Sequence, residues 1–187
     1  MESPRAATRT PPFGFRYCPA LITPDEEHEL VCELAALAFA EFEFHGYVAR
    51  RRVLSFGWDY DFAVEGLRPA AQLPAFLVSL RERAAAFAEL RPGDLPHALV
   101  TEYAPGAAIG WHRDKAVFSD VVGLSLVSPC IFRLRRKWGT GWERYSMELP
   151  PRSAYLLRGP VRSEWEHSIP AVPALRYSVT FRSLRPA

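Results

Sequence analysis

Apolar residues recur at two different periods in this chain, three to four apart in two segments before residue 95 and mostly two apart after it. Leu30, Leu34 and Leu37 mark one helical stripe, opened by Thr23-Pro24-Asp25-Glu26. Thr there is a helix N-cap, Pro suits the first helical position, and Glu stands three after the cap. The spacing predicts a helix to about Phe39. Leu77, Leu80, Ala84 and Phe87 mark a second helix over 74–90, stopped by Arg91-Pro92-Gly93-Asp94. Ahead of the first helix, 13–21 reads as an entry strand. Between the helices, 41–60 alternates and is aromatic-rich, a strand or hairpin with an exposed loop, and 66–74 reads as a linker.

From His97 onward short runs of β character follow one another at 97–103, 109–112, 121–127, 130–136, 142–148, 153–157, 165–169 and 176–184, with Pro or Gly between most of them. Short strands in such succession imply a sandwich or barrel. The expected fold class is α+β, mainly β: a double-stranded β-helix (jelly roll) core with the N-terminal helices packed on one sheet.

Composition narrows the picture modestly. The 187 residues fit one domain, and 49% hydrophobic with 13% aromatic residues can fill a sizeable core. A net charge of +2 announces no polyanion partner by itself. The cations are nearly all Arg, with Lys115 and Lys137 the two lysines. Arg is the better residue for planar anions, although a GC-rich genome enriches it as well. Cys18, Cys32 and Cys130 are scattered and odd in number, which suits reduced thiols in a cytoplasmic protein. No apolar run reaches the length of a membrane span. Residues 1–12 lack the apolar stretch of a secretory signal and read as a flexible arm. No obligate protein partner is evident.

The candidate chemistry sits in Ile109-Gly110-Trp111-His112-Arg113-Asp114 and Trp165-Glu166-His167-Ser168-Ile169. On a strand, residues two apart share a side, so His112 and Asp114 can converge. A second imidazole from His167 completes two nitrogens and one oxygen, a set that suits Fe(II) with coordination positions left open. His-x-Asp alone is a weak motif. What adds weight is Arg176-Tyr177-Ser178-Val179-Thr180-Phe181-Arg182, where Arg176, Ser178, Thr180 and Arg182 share one face. Two arginines facing a sheet interior are costly unless paired with anions, and a dicarboxylate cosubstrate would supply one.

With these residues laid out, the C-terminal half resembles the AlkB family of Fe(II)/2-oxoglutarate-dependent dioxygenases. Tyr103-Ala104-Pro105-Gly106, the His112 and His167 segments, Pro151-Arg152-Ser153-Ala154-Tyr155 and the Arg176–Arg182 run carry the resemblance. It implies a single domain over 13–187, with helices and a substrate-recognition lid in 13–95 and the jelly-roll core in 96–187. It implies iron held by His112, Asp114 and His167. Arg176 would pair with the distal carboxylate of 2-oxoglutarate, assisted by Tyr103, with Arg182 near or behind the cosubstrate's other end. Thr101 stands where the family usually has Asn as a further cosubstrate hydrogen bond. The implied reaction uses Fe(II), 2-oxoglutarate and O2 to hydroxylate an N-linked alkyl carbon, releasing succinate, CO2, an aldehyde and the free base.

The implied substrate is alkylated single-stranded DNA or RNA. Trp58 and Tyr60 lie where the family stacks an extracted base, or they are plain core. Arg51, within Arg50-Arg51-Arg52, could track phosphates or sit in a solvated turn. Arg133, Arg135 and Lys137 share one face of a strand, and Arg135 could approach the site mouth or merely protect a sheet edge. Arg158 and Arg162 could line the opening. His97, His28 and His45 lack partners at ligand spacing and read as surface or capping residues. Ala116 replaces an acidic residue that several nucleic-acid repair members carry, which leaves two alternatives open: the same chemistry on a protein side chain or small molecule, and a catalytically inactive nucleic-acid-binding module.

Overall fold

Thr23 accepts a hydrogen bond from the backbone NH of Glu26 at 3.2 Å, and the Glu26 carboxylate accepts one from the Thr23 NH at 2.8 Å. This reciprocal box starts helix α1, Pro24–Ala35. The structure, a computed structural model, describes residues 10–44, 47–61 and 66–186. Within it α1 stops short of the predicted Phe39, because the chain must leave the helix to enter strand β2 at Ala40. Helix α2, Ala75–Ala88, ends where Glu89 takes a left-handed φ of 57° and the NH of Leu90 reaches back to the Ala85 carbonyl. Among the described residues no helix is long and apolar enough to cross a membrane.

The remaining strands are β1 (Phe15–Cys18), β3 (Tyr47–Phe56), β4 (Trp58–Asp61), β5 (Gly66–Pro69), β6 (His97–Tyr103), β7 (Ile109–His112), β8 (Phe118–Leu126), β9 (Cys130–Trp138), β10 (Gly141–Leu149), β11 (Ala154–Leu157), β12 (Glu166–Ile169) and β13 (Arg176–Leu184). A one-turn helix α3, Pro160–Ser163, stands between β11 and β12. The described strands form a seven-stranded sheet in the order β1-β11-β8-β13-β6-β3-β2, a four-stranded sheet β10-β9-β12-β7, and the small pair β4-β5. Two facing antiparallel sheets with helices earlier in the chain match the expected jelly-roll class.

Helices α1 and α2 bury Leu30, Leu34, Leu77, Leu80 and Ala84 against Val100, Leu124, Val179 and Phe181 of the large sheet. A second apolar cluster, with Phe132, Leu134, Tyr155, Leu157 and Trp165, lies between the sheets. Strand β13 is therefore covered on both faces. Its odd-numbered Tyr177, Val179 and Phe181 join the helix-side core, while Arg176, Ser178, Thr180 and Arg182 line a cavity on the other side.

Two expectations about the middle of the chain change. The segment 66–69 is a strand rather than part of a linker. It pairs with β4 in register Asp59↔Arg68, and the Arg68 guanidinium meets the Asp59 carboxylate at 2.9 Å across the pair. Arg51 and Arg52 lie in the middle of β3, hydrogen-bonded to β6, so neither is in a turn. The Arg50 side chain, His45 and residues 1–9 of the expected arm lie outside the described residues.

Candidate active site

The register of the large sheet assembles the cavity wall row by row. Arg51, Tyr103 and Arg176 stand side by side on β3, β6 and β13, and Val53, Thr101, Ser178 and Ser125 form the next row, which continues onto β8. Two rows further, His97 and Arg182 pair directly. Partners across an antiparallel pair project to the same face. One face of the sheet thus presents two buried arginines, a phenol and several hydroxyls to the space between the sheets.

The small sheet supplies the opposite wall. His112 and His167 are register partners on β7 and β12, with ring centroids 4.2 Å apart. The Nδ1 of His112 lies 2.9 Å from the Gly110 carbonyl. A carbonyl can only accept, so Nδ1 carries the proton and Nε2 keeps a lone pair. Burial lowers the pKa of both imidazoles, that of His167 to about 3 with help from neighbouring His112. Neutral imidazole is the form that ligates metals.

Asp114 lies past the end of β7, in the loop before β8, so alternation along a strand does not by itself bring it to His112. Arg182 does. Its Nε and Nη2 donate to Asp114 Oδ1 at 3.0 and 2.8 Å. The other oxygen, Oδ2, is buried without a hydrogen-bond partner and stands 3.8 Å from His167 Nε2. Burial alone would raise this carboxyl's pKa. The cations around it, Arg182 foremost, instead hold it well below the usual carboxylate range.

Arg176, across the same cavity, also carries an unsatisfied buried atom. It is 1% exposed, its Nε donates to Ser125 Oγ at 3.1 Å, and its guanidinium lies 4.8 Å from the centroid of the Tyr103 ring. Its Nη1 is buried with no partner. A buried cation with a spare donor calls for an anion. Among the described residues no three His, Cys, Asp or Glu donors are already gathered at closed ligand spacing. The donor chemistry nevertheless fits a divalent metal at Asp114 Oδ2 with His112 and His167, and a carboxylate at Arg176.

The cavity brings together His112, Asp114, His167, Thr101, Tyr103, Arg176, Arg182 and Arg51 of the residues singled out from sequence. Burial lowers the pKa of Arg51. Trp58 and Tyr60 lie on β4, half-buried and outside the cavity lining, although the Lys115 ammonium sits 4.8 Å from the Tyr60 ring centroid and ties that strand to the Asp114 loop. Arg135 lies outside the cavity lining. His167 pairs with Leu134, so Arg135 and Glu166 point to the opposite, outer face, where they meet at 2.6 Å.

Several contributors escape the sequence reading. His97 is 3% exposed rather than superficial. Its Nδ1 lies 3.4 Å from Arg182 Nη1, and burial with Arg182 nearby lowers its pKa to about 3. Arg162, expected at the opening, is instead buried and donates to the carbonyls of Lys115 and Phe118, pinning the loop that carries Asp114. Arg158 instead binds Asp120 at 2.7 Å. In sequence, Ser125 is only a polar interruption of an apolar strand. A roomier concavity between α1 and α2 sets Glu26, Glu29, Glu33 and Arg83 around Leu30, Phe76 and Leu80, with no histidine among its described lining residues.

The sequence profile of the 2OG-Fe(II) oxygenase superfamily matches residues 14–182. The chain belongs to this superfamily. Its members are oxygenases that use Fe(II), 2-oxoglutarate and O2, the cofactor set expected from sequence. Among its relatives is "Alkylated DNA repair protein ALKBH8 homolog" of Arabidopsis thaliana, 28% identical across 84% of this chain and 51% of that protein. "Uncharacterized protein L905" of Acanthamoeba polyphaga mimivirus is 30% identical across 46% of this chain and 47% of that one. The chain thus spans about half the length of these curated relatives. The solved structure of OsALKBH1 superposes with a TM-score of 0.67 at 16% identity, covering 91% of this chain and 98% of that one, which shows the shared fold. The AlkB resemblance read from the C-terminal motifs therefore agrees with the superfamily match and with these relatives.

Proposed function

We propose that this 2OG-Fe(II) oxygenase removes alkyl groups oxidatively from N-alkylated bases in single-stranded DNA or RNA. The observation that carries the reading is the pairing of two unsatisfied buried atoms in one cavity, Asp114 Oδ2 beside the His167 imidazole and Arg176 Nη1 on the facing sheet. His112, Asp114 and His167 would hold the ferrous ion, and Arg176 the distal carboxylate of 2-oxoglutarate. When bound, iron supplies O2 activation coupled to oxidation of the ketoacid.

The chain's own residues orient and shield. Arg182 fixes the Asp114 carboxylate in its ionised form and turns Oδ2 toward the histidines. Gly110 fixes the His112 tautomer. Ser125 and the Tyr103 ring hold the Arg176 guanidinium, while Tyr103 and Thr101 line the same cavity and their hydroxyls would meet the cosubstrate's oxygens. Phe132 and Tyr155, stacked at 4.5 Å between centroids, keep water from the cavity floor. Trp58 and Tyr60 share one side of β4 and offer an aromatic platform for a base taken out of its stack.

The relative named for alkylated DNA repair supports nucleic acid as substrate. Ala116, in the turn after Asp114, supports the second reading, the same chemistry on a protein side chain or small molecule. Mass spectrometry decides between them: a mixed pool of alkylated oligonucleotides is incubated with enzyme, Fe(II) and 2-oxoglutarate. Loss of alkyl mass matched by succinate release supports dealkylation. Succinate release with every oligonucleotide unchanged contradicts it.

A further inference from the structure

The outer face of the small sheet carries a ladder of aromatic rings and cations that the cavity chemistry does not use. The Arg135 guanidinium lies 4.4 Å from the Trp111 ring centroid and 4.1 Å from that of Trp142. Arg133 lies 5.0 Å from Trp111, and Lys137 5.2 Å from Trp142. Arg144, in register with Arg135 on β10, joins the same face and is exposed, as is Lys137. Among the described residues the acids on this face are Glu166, paired with Arg135, and Glu148 at the far end of β10. Glu143 and Glu164 instead neutralise Arg136 on the other side of β9. Cations therefore outnumber acids on the outer face.

We propose that this face holds the sugar–phosphate backbone of a single-stranded nucleic acid running from the rim of the cavity to the β9–β10 hairpin. The inference rests on the nucleic-acid reading of the substrate and deepens it. Trp111 directly precedes His112, so the ladder begins beside the site. Arg113, exposed, and Lys115 extend its charge past Asp114. Three strand spacings of about 4.8 Å give the ladder a span of about 15 Å, room for about four stacked nucleotides. The rings hold Arg135 rigid between them, and Lys137 and Arg144 are exposed to solvent, where phosphates can reach them.

The test is anisotropy of a labelled single-stranded oligonucleotide titrated at about 50 to 200 mM salt. The double variant Lys137→Gln, Arg144→Gln should bind about tenfold more weakly at low salt. Its plot of log affinity against log salt should be shallower by about 1.4, at about 0.7 for each phosphate no longer neutralised. Each single variant should lose about half of that slope, which carries the test if the double variant unfolds. Arg91→Gln, an exposed arginine outside the ladder, should change affinity less than about twofold. Wild-type affinity and slope in the double variant, with dealkylation of the strand intact in wild type, would overturn the ladder and leave the substrate reading standing. Failure of the wild type to bind or dealkylate any single strand would overturn both.

Discussion

Arg182 grips one oxygen of Asp114 with two hydrogen bonds, at 3.0 and 2.8 Å, and leaves the other oxygen bare beside His167. A carboxylate held this way is ionised, aimed and half-open before any metal arrives. Arg182→Met removes the grip. Iron affinity should fall about 10- to 100-fold, as expected when a metal ligand loses its supporting partner, and the protein should lose about 3–5 kcal/mol because Asp114 stays buried without its cation. Metal titration and urea unfolding read the two effects separately.

Arg176 makes a different prediction because its unpartnered Nη1 lines the cavity, where it is proposed to meet the cosubstrate. Arg176→Lys keeps the charge and loses the planar fork. The KM for 2-oxoglutarate should rise about 10- to 100-fold, the equivalent of one or two charge-assisted hydrogen bonds, while iron affinity changes little. Ser125→Ala, which removes the support of Arg176 Nε, should raise the same KM about two- to tenfold. Steady-state succinate release against cosubstrate concentration measures both.

The pattern of period two on β13 exposes the cavity face and both arginines at once, because a strand covered on both sides tolerates cations only where anions come. The same logic fails for Arg135. Alternation correctly groups Arg133, Arg135 and Lys137, but a one-residue change of register sends such a group to the opposite face, and only the pairing of His167 with Leu134 decides which. His97 is illegible in sequence for a related reason. Its partner Arg182 is 85 residues away along the chain, and sheet register alone brings them together. Strand β5 is hidden by Gly66 and Pro69 at its ends, and the cross-strand ion pair of Arg68 with Asp59 helps mark it in the structure.

His97 gives the metal-free protein a pH dependence of known sign. Its folded pKa of about 3 lies below the ordinary 6.5. Below about pH 6.5 the unfolded chain takes up a proton that the folded protein refuses, so this residue's contribution to stability is present above 6.5 and is lost as pH falls toward 3. His97→Asn removes that proton uptake. The stability gap between wild type and variant should therefore narrow by about 2 kcal/mol between pH 6.5 and 5, at about 1.4 kcal/mol per pH unit. Urea midpoints in the presence of chelator measure it.

Tyr60→Ala should separate base recognition from cosubstrate oxidation. Removing a stacking ring weakens single-strand binding by about 1–3 kcal/mol. Succinate released without coupled dealkylation should persist, since Tyr60 stands outside the cavity lining. The ratio of succinate to repaired base, near unity in wild type, should rise in the variant.

Anaerobic titration of the purified chain with Fe(II) and then 2-oxoglutarate bears most directly on the proposed centre. One iron per chain should bind, and the ketoacid should then bring up the visible charge-transfer band of a chelated ferrous ion. The band should be absent in His167→Ala and in Asp114→Ala, and in Arg176→Met it should need far more ketoacid to appear. An undiminished band with full iron content in the His167 and Asp114 variants would contradict the account.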